Sequence, residues 1–147
     1  MVTASASAQD DHVTDAARLV RSPGLSGAAE YAYAAVVVGG SQLVFTAGAC
    51  PLDAEGATVG VGDIRAQAAQ VMVNLEQALA DSGAGLGDVV RTTIYVASSA
   101  QPDLVAAWEV VRDALSPHDP PSTLLGVAVL GYVDQLVEVD AVAALPQ

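Results

Sequence analysis

The chain has 147 residues, room for one domain of ordinary size and hardly two, and it is 52% apolar and 15% charged. That composition excludes a disordered protein, and the longest apolar run, residues 32–38, is too short for the roughly 18 residues of a membrane span. Seventeen acidic side chains face five arginines and no lysine, a formal net charge of −12. Such a surface argues against nucleic acid and anionic lipid, which are held through phosphate by Lys and Arg.

The single cysteine, Cys50, allows no internal disulfide. Residues 1–15 lack the basic start and apolar stretch of a secretory signal, and they read as a flexible leader with no buried role. The expected organisation is this leader followed by one domain over 16–147, in the cytoplasm.

Residues 17–20 are a first strand candidate, closed by Ser22-Pro23-Gly24. The run 32–38 fits a buried strand, and residues 31–38 and 43–47, separated by Gly39-Gly40-Ser41, read as a hairpin. A loop follows over 51–62, with Asp53, Glu55, Gly56 and Gly60 as turn formers. Ile64, Ala68, Val71, Leu75 and Leu79 recur on one face of a helix over 63–82, with Asp63 at its positive end and Gly83 as its stop. Residues 89–96 read as a strand with Val90, Thr92, Ile94 and Val96 on one side.

A second helix runs over 101–115, with Pro102 in its first turn and Pro117 beyond its end. Leu104, Trp108, Val111 and Leu115 form its apolar stripe, which assigns Trp108 to the core. Strands over 123–130 and 136–143 close the chain around a turn at 131–134. The order implies an α+β fold with two helices on one face of a mixed sheet. The last strand alternates an apolar side, Val137, Val139 and Ala141, with a partly acidic one carrying Glu138 and Asp140. Two helices cannot cover both sheet faces, so an oligomer is expected to bury the other.

Standard catalytic constellations are missing. His12 and His118 have no further ligand at metal spacing, so no metal is expected, and His118 reads as a solvated loop residue. Gly83-Ala-Gly85-Leu-Gly87 follows a helix and precedes a strand, the reverse of a phosphate cradle. Cys50 has no basic neighbour in sequence and reads as an inert thiol.

A succession of stretches carries more information. Tyr31-Ala-Tyr-Ala is followed by Leu43-Val-Phe-Thr-Ala-Gly48-Ala-Cys-Pro51-Leu-Asp53, then by Gly62-Asp63-Ile64 with Gln67 and Asn74-Leu75. Asp88-Val-Val-Arg91-Thr-Thr-Ile-Tyr-Val96, Pro120-Pro-Ser-Thr123 and Leu136-Val-Glu138-Val-Asp-Ala-Val-Ala143 complete it. In this order the stretches resemble the RidA/YjgF family of imine and enamine deaminases, over residues 17–145. The resemblance implies a chorismate-mutase-like protomer, a homotrimer with small-molecule clefts between subunits, and no cofactor.

It also implies roles. Glu138 falls on the last-strand glutamate that orients the attacking water, Tyr31 on the cleft tyrosine, and Gly48 on the glycine of a Ser-Gly-Gln stretch. Ser122 and Thr123 occupy the Pro-x-Arg-Ser/Thr motif, so Ser122 stands where the family's carboxylate-binding arginine belongs. Ala47 and Ala49 replace the residues usual beside Gly48, and Trp108 stands where asparagine is frequent. Charged hydrogen bonds contribute roughly 1.5–3 kcal/mol against about 1 for neutral ones, so losing the guanidinium costs about tenfold in affinity for an acid.

Arg91 is the candidate replacement, on a strand that does not guarantee its reach. The expected activity is hydrolysis of C=N bonds with altered specificity. The alternative is a trimeric binding protein without turnover. A ribonuclease or translation inhibitor, a role attached to some family members, fits the acidic chain worst.

Overall fold

A computed structural model describes residues 11–147. Its elements run β1 (Ala17–Val20), β2 (Ala34–Val37), β3 (Gln42–Phe45), α1 (Ile64–Asp81), β4 (Val89–Val96), α2 (Gln101–Leu115), β5 (Ser122–Gly126) and β6 (Val137–Leu145). Of the expected leader, residues 1–10 lie outside the described residues. Residues 11–15 run back along β1, where the Leu19 N–H donates to His12 O at 2.8 Å and the Ala17 N–H to Thr14 Oγ1 at 3.0 Å.

Both helices form where the apolar spacing places them. Asp63 caps α1 by accepting from the Ala66 N–H at 3.0 Å, and Gly83 follows its end at φ +83°, a left-handed conformation that favours glycine. Ala68, Val71, Leu75 and Leu79 are fully buried, each large one stabilising the fold by about 1.5–3 kcal/mol. On α2, Ala107, Val111 and Leu115 are buried, whereas Leu104 and Trp108 sit at the edge of the core.

The main sheet has the order β3-β6-β4-β5, antiparallel except for the parallel pair β4–β5, and β1 and β2 form a separate ribbon. Alternate residues of β4 and β6 meet α1 and α2 in one core, so the two helices cover one face of a mixed sheet. This is the α+β arrangement expected from the order of elements.

Four local readings are corrected. The runs flanking Gly39-Gly40 do not pair as a hairpin: Ala34 pairs with Val20 in β1, and Phe45 with Val142 in β6. The nine-residue β6 offers β3 an edge that a local hairpin would leave unpaired. The run 32–38 is not a buried strand either, since Val36, Val37 and Val38 are all exposed in the single chain. On β4, a bulge between Val89 and Arg91 leaves Val90 outside the register. Val89 therefore joins Ile94 and Val96 in the helix-side core, and Val90 packs with Ala16, Ala17 and Ala144 instead. Finally, β5 ends at Gly126, and β4 lies between it and β6.

Candidate functional site

Residues that alternate away from the helices form an open face. Arg91, Thr93 and Tyr95 of β4 lie there with Glu138 and Asp140 of β6, beside Phe45 of β3, which is 71% exposed. The Tyr95 hydroxyl donates to Asp140 Oδ2 at 3.1 Å; desolvation and this carboxylate hold the phenol above its usual range.

Glu138 has a specific setting on that face. The loop after β3 joins β6 through paired bonds, Ala49 N–H to Val139 O at 2.8 Å and Val139 N–H to Ala49 O at 3.2 Å. This brings Gly48 against the Glu138 carboxylate so closely that a Cβ on Gly48 would collide with Oε1. Gln135 Nε2 donates to Glu138 Oε2 at 3.0 Å, and the Cys50 thiol lies 3.7 Å from the same oxygen. Burial, then the Glu138 charge, pushes the Cys50 thiol up, which favours its protonated form.

Helix α1 holds the walls of this site. Asn74 Nδ2 donates to Cys50 O at 2.8 Å and to Leu52 O at 2.9 Å, while Gln70 Nε2 donates to Asn74 Oδ1. One turn earlier, fully buried Gln67 accepts from the Leu136 N–H at 2.7 Å and donates to Asp134 O at 2.9 Å. Gly48, Cys50, Leu52, Asn74 and Tyr132 line an adjoining cavity of about 630 Å³.

A second cavity, of about 270 Å³, gathers Tyr31, Tyr33, Arg91, Ser122 and Thr123. The Tyr31 ring meets Trp108 edge-on at 5.8 Å between centroids and Tyr33 at 6.1 Å. Ser122 Oγ donates to Pro120 O at 3.0 Å and lies 2.7 Å from Thr92 Oγ1, so its hydroxyl is already engaged within the fold. Arg91 reaches this cavity. Among the described residues it makes no ion pair, while Arg18, Arg21, Arg65 and Arg112 all pair with carboxylates.

The sequence-derived site residues thus fall into two groups, Tyr31, Ser122 and Thr123 in one and Gly48 and Glu138 in the other. Glu138 stands opposite Tyr95, four residues from Arg91 on β4 and so about 13 Å along the strand. Residue patterns gave no sign of Gln135, which reaches Cys50's neighbourhood only through the fold.

His118 is not a solvated loop residue. Its Nε2–H donates to Val89 O at 2.6 Å, its Nδ1 is buried without a partner, and burial lowers its pKa. Among the described residues no group of three or more His, Cys, Asp or Glu side chains is placed to hold a metal, and no helix is long and apolar enough to cross a membrane.

The profile of the family described as Endoribonuclease L-PSP matches residues 25–145. The chain belongs to the RidA/YjgF family. A RutC family protein of Pyrococcus abyssi is 32% identical over 102 residues, 69% of this chain and 78% of that one. The fold is similar to a protein of the conserved Rid family, YyfB from Yersinia pestis, at a TM-score of 0.79 and 26% identity, covering 88% of this chain and 98% of that one. E. coli TdcF, solved with bound serine, is similar at a TM-score of 0.63 and 26% identity, over 86% of this chain and 94% of that one.

Proposed function

We propose that the protein hydrolyses a small imine or enamine tautomer in a cleft on the open sheet face, between copies of a homotrimer. The observation that carries this reading is the Glu138 carboxylate, seated on Gly48 with one oxygen held by Gln135 and the other without a donor among the described residues. In the reaction, water adds to the C=N carbon while Glu138 accepts one of its protons and returns it to the nitrogen; the C–N bond of the carbinolamine then breaks as its hydroxyl proton passes to the departing nitrogen, giving a carbonyl compound and ammonia. No redox group enters this balance.

Tyr31, Thr123 and the engaged Ser122 shape the opposite wall, and Arg91 is the cation available to a ligand there. With Ser122 in the arginine's place, specificity departs from that of the family's amino-acid imine hydrolases. The bound serine of E. coli TdcF supports a small polar ligand for this fold. Exposed Phe45, Leu43, Val36 and Leu125 give each copy an apolar surface for its neighbours, which supports the trimer.

Imines released in situ by an amino-acid oxidase, with semicarbazide trapping what remains, test this directly. Wild type should compete with semicarbazide, and Glu138→Ala should lose about 10²–10⁴-fold in rate. A Glu138→Ala protein as fast as wild type overturns the reading. The engaged Ser122 hydroxyl favours a second reading, a binding protein without turnover; it gains if wild type leaves imine decay unchanged yet binds a keto acid.

A further inference from the structure

The two oxygens of Glu138 have unlike surroundings. Oε2 accepts from Gln135 Nε2 and faces the Cys50 thiol, whereas Oε1 lies over the α-carbon of Gly48 with no donor among the described residues. Gln135 is itself only 4% exposed, and its orientation is determined by its partners. Its Oε1 accepts from the Tyr132 N–H at 3.0 Å, and its Nε2 also faces Val137 O at 3.2 Å. Reversing the amide would set its oxygen against a carbonyl and a carboxylate, so the nitrogen must face Glu138.

We infer that Gln135 is a positioning residue for Glu138, locking the carboxylate through Oε2 so that Oε1 is the oxygen presented to water. The Cys50 thiol is a weaker donor near the same oxygen, its one proton shared between Glu138 Oε2 at 3.7 Å and Gly48 O at 3.5 Å. This inference rests on Glu138 being the working carboxylate. The terminal torsion of a glutamate is broad and two-fold, so an unheld carboxylate spreads over orientations of which few suit proton transfer. Closing the turn at 132–135 needs only the glutamine's oxygen; the bond to Glu138 is additional. Because Glu138 handles water and not the substrate's recognition groups, the lock should act on kcat and leave KM nearly alone.

Gln135→Met keeps the length and removes both polar ends. It should lower kcat about tenfold or more with KM changed less than about twofold. Cys50→Ala should lower kcat by about two- to threefold, and Cys50→Ser, which keeps a donor, should restore it. Independently of turnover, the antisymmetric carboxylate band of Glu138, assigned by wild-type minus Glu138→Gln infrared difference, should shift in Gln135→Met. Wild-type kcat together with an unmoved band in Gln135→Met overturns the inference. If Gln135→Met does not fold, wild-type kcat together with an unmoved band in Gln135→Leu overturns it. A shifted band in a protein without turnover would sink the hydrolytic reading and leave the hydrogen-bond lock standing. Normal, Glu138-dependent turnover that Gln135→Met neither slows nor perturbs spectroscopically would sink the lock alone.

Discussion

On the helix-covered face, β4 and β6 present Val89, Ile94, Val96, Val137, Val139 and Ala141 to α1 and α2, and none is more than 2% exposed. On the open face the same two strands present Arg91, Tyr95, Glu138 and Asp140, next to Phe45 at 71% exposure. Period-two alternation serves both ends. One face carries the stability of the protomer, and the other carries charge, hydroxyls and an apolar surface that a single copy leaves bare.

Substitutions on the two faces should separate these roles. Leu75→Ala, on the covered side, should cost about 2–5 kcal/mol in a urea unfolding measurement. Phe45→Ser should cost the protomer less than about 0.5 kcal/mol. Instead it should lower the light-scattering mass from the three times 14.7 kDa of the proposed trimer toward that of one chain. Equal losses of protomer stability would erase the distinction.

Gly48→Ala sharpens the contrast within the open face. The new methyl meets Oε1, Cδ and Cγ of Glu138, so the side chain must shift and leave its bond to Gln135, and folding should lose about 1–3 kcal/mol. The displaced carboxylate should nonetheless slow imine hydrolysis about tenfold or more.

Two titrations give smaller effects. Burial holds His118 below its ordinary 6.5, so the unfolded chain binds that proton more readily. Its contribution to stability is complete above pH 6.5 and is lost as pH falls through the lower folded value. Urea midpoints should therefore drop below pH 6.5 more steeply for wild type than for His118→Gln. Cys50 runs the other way. Its folded pKa is raised above 9.0, so its contribution is present below pH 9.0 and lost as pH rises through the folded value. At pH 8.5 iodoacetamide should alkylate native Cys50 more slowly than the same residue in urea.

Much of this architecture was legible in the sequence. Helices announce themselves through apolar spacing and end signals, and α1 and α2 lie within a residue of the expected limits. Strand partners were less so, because pairing depends on which edge is free. The bulge at Val90 reverses which valine faces the helices without any local mark in Val89-Val90. Glu138, Gly48 and Tyr31 could be picked out through ordered stretches along the chain. The Glu138–Gln135–Cys50 cluster could not, since its thiol and carboxylate are 88 residues apart and meet only when the loop after β3 pairs with β6. His118 looked solvated beside its prolines because nothing local reveals that Val89 O waits 2.6 Å from its ring.

Subunit complementation tests most directly whether the Arg91 and Glu138 groups of the open face act together across copies. Glu138→Ala and Arg91→Met, each weakly active alone, would be unfolded, mixed one to one and refolded together. Random assembly into trimers leaves about a quarter of the clefts with both halves intact, so the mixture should regain about a quarter of wild-type imine hydrolysis. A mixture no faster than the mean of the two separate variants would contradict a cleft shared between copies.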